Sequence, residues 1–368
     1  MTLIFRCRLN RLSYGNLSLN KNILFLASSL QRGGPINQLF ELVSSKVFQN
    51  CGSTISIVSL SPLDVKESRA LDFMKLGCHV ESFNNDSYNF LKISTKIVSF
   101  IKTNDIDVVV SQGIRSDISL SLVLNKIKAK CYCILHNYIG PDYKLTYGKL
   151  LSRLMTSFHL YAFRRLNIIS VSKSVADYVK QNYNLTSTPI KNGVRSVDYT
   201  PSALEHHPIK LIYVGIVNQR KRVKELVECC NQLEKDSVTL SVVGKCECND
   251  LNKKDKNATY LGQRNDIPYL LSQHHIFVSF SAFEGLPMAA LEALATGTPC
   301  ILSDIPPHTE IIGLSPNFGC ICDINDPKSL REAIKHCLTL NPLDIKNDFD
   351  LFLSSEVMAS SYQRILMK

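Results

Sequence analysis

No stretch of this 368-residue chain is apolar for long enough to cross a bilayer, which excludes a helical membrane-spanning protein. The first twenty residues, MTLIFRCRLNRLSYGNLSLN, lack a continuous hydrophobic region because Arg6, Arg8 and Arg11 interrupt the apolar groups, so the expected location is the cytoplasm. C-x-x-C is absent, and the thirteen cysteines are odd in number. Three C-x-C pairs (Cys131/Cys133, Cys246/Cys248, Cys320/Cys322) lie in or at the ends of strand-like runs, whereas zinc needs two closely spaced ligand couples; buried free thiols are expected. The chain has no fixed-period repeat and no low-complexity tract. No strand-like run leads into G-x-G-x-x-G, which argues against a nicotinamide-dependent dehydrogenase. No convincing Ser/His/Asp or Cys/His set marks a protein nucleophile.

Hydrophobic residues make up 45% of the chain and charged ones 20%, the balance of a soluble globular protein. The charge is divided unevenly. Residues 1–200 carry 25 Lys and Arg against 12 Asp and Glu, and residues 201–368 carry 17 against 20. The first half is therefore expected to face something anionic, such as a membrane surface, a phosphorylated acceptor or nucleic acid.

At this length two cores are expected. The runs KNILFLASSL, STISIVSLSP, IDVVVSQG, KCYCILHNY and NIISVSKS alternate with segments long enough for helices. The pattern restarts with IKLIYVGIVNQ, VTLSVVGKC, ATYLGQ, HIFVSFSAFEG and PCILSD. This predicts an α/β protein of two Rossmann-like, doubly wound domains facing across a cleft, with ligands beyond the carboxyl ends of the strands. The expected layout is an extension at 1–20, a first domain at 21–195, a polar linker with two prolines at 196–208, a second domain at 209–350, and a terminal helix at 351–368 packing back on the first domain.

The segment SAFEGLPMAALEALATGTPCILSD, residues 281–304, combines two glutamates with an apolar strand–helix–strand pattern. Pro287 suits a first helical turn and Gly297 a helix end, which predicts a helix from Pro287 to Thr296. Eight positions bring Glu292 about 80° past two full turns from Glu284, so the two carboxylates are expected on one broad side, able to touch one elongated ligand. Glu284, Gly285 and Leu286 stand at the helix start, where exposed backbone N–H groups and the helix dipole favour a phosphate. A diphosphate flanked by two hydroxyl-rich sugars suits that spacing.

This E-x7-E segment resembles the signature of family 4 retaining glycosyltransferases of the GT-B fold. Further segments are similar to that family in the same order: SSLQRGGPINQLFELV, LHNY, IISVSKSVADYV, IKNGVRSVDYTP, YVGIVNQRKRVKELV and TYLGQRNDIPYLLSQHHIFVSFS. The resemblance covers about residues 21–365. It implies that Glu284 contacts the hydroxyls of the donor sugar and Glu292 those of the ribose of a sugar nucleotide. It also implies that Gly33 and Gly34 form a loop approaching the donor phosphates, that His136 lies near the donor sugar, and that Leu261, Gly262 and Gln263 hold the base through backbone contacts. Lys221 matches the lysine on the diphosphate. After Gly215 many family members carry an arginine where this chain has Ile216; Arg220 is the expected second cation, with Arg222 next in line.

The resemblance further implies sugar transfer from a nucleotide-diphosphate sugar with retention of configuration, without an obligatory metal or other cofactor. The implied acceptor is a glycan or lipid-linked saccharide of a bacterial capsule, O-antigen or exopolysaccharide, with no nucleic-acid partner. A catalytically inert scaffold, an epimerase and a phosphorylase of the same fold are the competing readings; intact Glu284, Glu292, Lys221 and His136 favour the transferase. On the acceptor side, residues 143–166 (YKLTYGKLLSRLMTSFHLYAFRRL) contain five Lys or Arg and no acid, with apolar groups at helical spacing. Two readings fit: a cationic amphipathic helix lying on anionic lipid at the inner membrane, or an apolar stripe facing the core with a solvated basic back.

Overall fold

In the computed structural model, which describes residues 21–64, 67–84, 89–198, 208–233, 237–247 and 257–367, both halves are parallel sheets wrapped by helices. The first sheet comprises β1 (Asn22–Ala27), β2 (Thr54–Ser59), β3 (His79–Ser82), β4 (Val108–Gln112), β5 (Lys130–Leu135), β6 (Asn167–Ser170) and β7 (Ser187–Pro189). Its order is β3-β2-β1-β4-β5-β6-β7. The accompanying helices are α1 (Gly34–Ser44), α2 (Lys46–Gln49), α3 (Ala70–Lys75), α4 (Phe90–Thr103), α5 (Ile114–Ser121), α6 (Ile139–Phe163) and α7 (Lys173–Tyr183). The second sheet comprises β8 (Ile209–Val214), β9 (Val238–Val243), β10 (Ala258–Gly262), β11 (Ile276–Ser279), β12 (Cys300–Ser303) and β13 (Gly319–Cys322), in the order β10-β9-β8-β11-β12-β13. With it run α8 (Val223–Asn231), α9 (Ile267–Ser272), α10 (Met288–Ala295), α11 (Pro306–Ile312), α12 (Pro327–Cys337), α13 (Pro342–Phe352) and α14 (Ser355–Leu366).

The expected fold class is therefore the observed one. Central strands such as β4, β11 and β12 are buried at every position, because helices cover both faces of a parallel sheet. The ten apolar runs coincide with β1, β2, β4, β5, β6 and β8 to β12. Three strands lay outside those runs, and each is an edge strand. His79–Ser82 alternates between exposed and partly buried positions, Ser187–Pro189 ends in proline, and Gly319–Cys322 is only four residues long. An edge position removes the need for a continuous apolar run.

The expected extension at 1–20 and most of the expected linker, 199–207, lie outside the described residues, as do Cys7 and Cys248. Nine of the eleven described cysteines are buried and none of the eleven is in a disulfide. Cys246 stands at the end of a strand-like run, just after β9 and in a parallel bridge to Val217, but it is exposed rather than buried as expected.

The halves are joined by backbone as much as by side chains. Val194 bridges Ser354 in parallel, with Val194 N donating to Leu353 O (3.2 Å) and Ser355 N to Val194 O (2.8 Å). Gly193 lies so close that a Cβ there would come within 2.4 Å of Ser354 O. From that point α14 runs along the first domain. Its Glu356 carboxylate accepts from Lys46 N (2.8 Å) and Val47 N (3.2 Å) at the start of α2, and Tyr132 Oη donates to Ile365 O (3.2 Å). On the other side of the junction the Glu310 carboxylate of α11 accepts from Lys173 N and Ser174 N, both at 2.9 Å. A carboxylate from one domain thus satisfies two of the unpaired N–H groups that begin α7 in the other. Replacing Glu310 with alanine is expected to lower the unfolding free energy by about 1–2 kcal/mol, measured by urea denaturation; an unchanged midpoint would assign the contact no role in stability.

Candidate functional site

Each sheet reverses its strand order once, between β1 and β4 in the first and between β8 and β11 in the second. Crevices open at the carboxyl ends of the strands flanking such reversals. The carboxyl ends of these four strands and the segments after them carry Gly33 and Gly34, Gln112, Lys221, and Glu284 respectively. The cleft chemistry follows from this topology.

β8 ends at Val214, and Gly215 follows with φ 151°, close enough to Tyr213 that a Cβ would meet its hydroxyl at 2.9 Å. The chain then turns through a 3-10 turn at Gln219–Lys221, capped by the Asn218 side chain. This turn presents Arg220 and Lys221 together. Arg220 Nη1 donates to Glu284 Oε2 (2.8 Å) and to Phe283 O (3.1 Å), and Lys221 Nζ pairs with Glu284 Oε1. Ala282 N returns a bond to Arg220 O (2.8 Å). Glu284 is only 6% exposed. Burial alone would raise its carboxyl, but Lys221 and Arg220, with hydrogen bonds from Lys221 and Ser281, outweigh that and set it at about 2. Arg222, by contrast, adopts a left-handed conformation (φ 49°) and begins α8, and no contact with Glu284 is seen. Ile216 is 44% exposed, with its carbonyl accepting from Tyr213 Oη (3.0 Å).

Two expectations about the helix start need correction. The helix begins at Met288, and Pro287 is its extended N-cap (φ −72°, ψ 110°) rather than part of its first turn; Thr296 is the C-cap, and Gly297 follows at φ 79°. Gly285 and Leu286 are buried, not exposed, because the loop is pinned to the first domain. Ser172 Oγ donates to Gly285 O (2.8 Å) and Asn192 Nδ2 to Leu286 O (3.3 Å). A Cβ on Gly285 would lie 1.8 Å from His136 O, so only glycine allows this approach.

Glu292 sits deeper along α10 and does not share its neighbours with Glu284. Burial first, then the Glu41 carboxylate, push its carboxyl up to about 7 against the opposing pull of Arg69. Its electrostatic neighbours therefore belong to the first domain, whereas Glu284 pairs with cations of its own domain. The expected broad side common to both carboxylates resolves into two different environments.

The remaining expected residues surround these. Gly33 and Gly34 open α1, and no atom lies within 4 Å of a Cβ built on either. Leu261 and Gly262 end edge strand β10 and Gln263 follows it, with Gly262 at φ 65° and its carbonyl accepting from Gly244 N (2.8 Å). His136 follows β5, its Nε2 3.1 Å from Gln112 Oε1, and burial pushes its imidazole down to about 4. Three polar residues not expected from the sequence also stand here. Asp142, in the first turn of α6, accepts from Asn137 Nδ2 (2.9 Å) and feels both Arg220 and Glu284; burial is the main cause of its raised pKa. His308 is buried and feels Glu284 and Lys221, and Gln112 is 4% exposed. None belongs to a local motif; the fold alone brings them to the cleft.

Residues 143–166 lie largely in α6, which breaks at Gly148 (φ 73°). Tyr143 Oη bonds His159 Nδ1 (2.5 Å), His159 Nε2 bonds Asp117 Oδ2 (2.8 Å), and Ser111 Oγ donates to Asp117 Oδ1 (2.6 Å). This buried chain ties both sides of the break to β4 and α5. Part of the segment faces the core as one reading expected, with Ala162, Phe163 and Leu166 buried and Tyr143 and Leu160 packed against them, but a second apolar face does not: Leu145, Tyr147, Leu150, Leu151, Leu154, Phe158 and Tyr161 are 41–84% exposed. A cavity of about 250 Å³ opens elsewhere, at the domain junction beside Asn192, Glu310 and Met358. Among the described residues no three His, Cys, Asp or Glu side chains are grouped to hold a metal ion, and no helix is long and apolar enough to cross a membrane.

Residues 208–339 match the family described as glycosyl transferases group 1. Over 359 residues the chain is 25% identical to the O-antigen biosynthesis glycosyltransferase WclY of Escherichia coli, covering 88% of this chain and 96% of that one. A shorter match, 40% identical over 85 residues, covers 23% of this chain and 21% of an Escherichia coli UDP-Gal:alpha-D-GlcNAc-diphosphoundecaprenol alpha-1,3-galactosyltransferase. Among solved structures, Anabaena Alr3699/HepE in complex with UDP and glucose superposes with a TM-score of 0.73 at 16% identity, covering 94% of this chain and 99% of that one. The chain has the GT-B fold and is related to glycosyltransferases.

Because the Glu292 carboxyl rises from an ordinary 4.5 to about 7 on folding, the unfolded chain releases that proton first, and stability falls as pH rises through this window. Glu292→Gln is therefore expected to match the parent at pH 4 and exceed it at pH 8 by up to about 3 kcal/mol in chemical denaturation. Equal stabilities at pH 8 would contradict a carboxylate held partly from water beside Glu41.

Proposed function

We propose that the protein is a retaining glycosyltransferase of hexosyltransferase type. It moves a sugar from a nucleotide-diphosphate donor to a glycan or lipid-linked acceptor in bacterial surface polysaccharide assembly. The observation that carries this reading is the Lys221–Glu284–Arg220 cluster at the carboxyl ends of β8 and β11. An ammonium has three N–H donors and a guanidinium five, so both cations can hold diphosphate oxygens while still touching Glu284. As the sugar–oxygen bond breaks, charge grows on the departing diphosphate, and these cations together with the amides opening α10 oppose it. Arg220 takes the part of the arginine replaced by Ile216.

The other residues follow from an elongated donor. Glu284 accepts from the sugar hydroxyls and Glu292 from the ribose. Leu261, Gly262 and Gln263 lie three strand spacings from β11, about 14 Å, a span suited to a base carried beyond the diphosphate. Open space at Gly33 and Gly34 lets the start of α1 approach the phosphates. Attack on the face from which the nucleotide leaves needs neither a protein nucleophile nor an obligatory metal. Closure of the domains over the donor would exclude water. The names of the relatives support the surface-polysaccharide direction.

The exposed face of α6 favours a lipid-linked acceptor. Its apolar groups at 147, 150, 151, 154, 158 and 161 form a helical stripe flanked by Lys144, Lys149, Arg153, Arg164 and Arg165, the pattern of a helix resting on an anionic bilayer. The enzyme would then work at the cytoplasmic face of the inner membrane.

Two measurements test these readings. In a thermal-shift panel of UDP, GDP, ADP, CMP and their hexose conjugates, one nucleoside diphosphate is expected to stabilise the parent, by about 2.7 kcal/mol at a hundredfold excess over Kd, and to lose its effect with Glu292→Ala. No response to any nucleotide would favour an inert scaffold. In flotation with phosphatidylglycerol vesicles, replacing Lys149, Arg153, Arg164 and Arg165 with alanine is expected to cut bound protein at least tenfold; binding equal to the parent would remove the membrane assignment.

A further inference from the structure

Gln112 closes β4 at the first sheet's reversal point, and its backbone is fixed from three sides. It pairs with Ala27 and Ile134 on the neighbouring strands, while its carbonyl accepts from Ser28 N (3.3 Å) and Ser116 Oγ (2.6 Å). The side chain is 4% exposed. Its Oε1 lies 3.1 Å from His136 Nε2, but its Nε2 is buried with no hydrogen-bond partner. Leaving an amide N–H unpaired in the interior is costly, and an apolar side chain of similar volume would avoid that cost. Packing therefore does not account for Gln112. An amide oxygen can only accept, so this contact puts the imidazole proton on Nε2 of His136 and leaves Nδ1 as an acceptor. His136 in turn lies with its carbonyl against Gly285, next to Glu284.

We propose that Gln112 is a sugar-positioning residue: its Oε1 holds His136 in the Nε2–H form, and its unpaired Nε2–H donates to a hydroxyl oxygen of the saccharide bound in the cleft. This inference rests on the glycosyltransferase reading and deepens it by naming a donor aimed at the sugar rather than at the nucleotide. It makes two demands that a merely structural glutamine would not. Removing the amide must leave the fold intact, since one unpaired buried donor, Gln112 Nε2, disappears while His136 Nε2 loses its acceptor and can pass its proton to Nδ1. It must also weaken recognition of the sugar without weakening recognition of the nucleotide.

The experiment compares the parent with Gln112→Leu and Gln112→Met in three readouts. Thermal unfolding without ligand is expected to give midpoints within about 4 °C of the parent's. Calorimetric titration with UDP and GDP, then with their hexose conjugates, is expected to show nucleoside diphosphate affinity within twofold of the parent. The extra affinity for the sugar conjugate should fall at least fivefold. Long-range proton–nitrogen NMR of His136 is expected to show Nε2 protonated in the parent and a changed tautomer mixture in both variants. Variants that unfold more than about 4 °C below the parent, or that bind the sugar conjugates as the parent does, would overturn the proposal. A parent that binds no nucleotide at all would instead overturn the glycosyltransferase reading, whereas retained nucleotide binding with an unchanged sugar increment would overturn only the role of Gln112.

Discussion

The close approach of the Glu284–Leu286 loop to the first domain is the constraint on which the cleft depends. At Gly285 the backbone lies against the carbonyl of His136 with no room for a Cβ, and the carbonyls of Gly285 and Leu286 are taken by Ser172 and Asn192. Since these contacts involve backbone, they set the spacing of the two sheets' crevices more narrowly than side-chain packing does. Glu310 capping α7 and Ser354 bridging Val194 secure the same junction from its other side. With the spacing set, residues after β4 and β5 meet residues after β8 and β11.

Burial has opposite consequences for the two glutamates of the motif. Both carboxylates are withdrawn from water, which by itself disfavours charge. Two cations on one turn reverse that for Glu284, while Glu292 meets a second carboxylate and is pushed the other way. The pair is thus one charged acceptor and one carboxyl poised near neutrality, eight residues apart in the chain. An elongated ligand with an anionic centre and neutral hydroxyl-bearing ends is matched to that asymmetry.

The first domain divides its polar groups between interior and surface. Inside, Ser111, Asp117, His159 and Tyr143 form a chain of hydrogen bonds that anchors α6 on both sides of its break. That anchoring leaves the opposite face of α6 free to display leucines and aromatics beside basic residues, an arrangement with no counterpart among the described helices of the second domain. The basic excess of residues 1–200 is thereby partly explained by one helix.

Much of the fold was legible in the sequence, because an interior strand of a sheet covered on both faces is largely apolar, and nine of the ten apolar runs became interior strands. Of the four described edge strands β10 was legible, while His79–Ser82, Ser187–Pro189 and Gly319–Cys322 were not, since an edge strand has one side free of that demand. The glutamate spacing, the Arg220–Lys221 pair and the glycines before α1 could likewise be read, because each belongs to a local loop or helix start whose chemistry survives in a short string of residues. The orientation of Glu292 toward Glu41 and Arg69, the exposure of the α6 stripe, and the meeting of Gln112, His136 and Asp142 with the Glu284 loop could not. Those depend on which elements face one another across the cleft, and sequence distance carries no information about that. Local chemistry was determined by the sequence; the pKa values, the unpaired amide and the burial of Gly285 were decided only when long-range packing removed water from one side of each group.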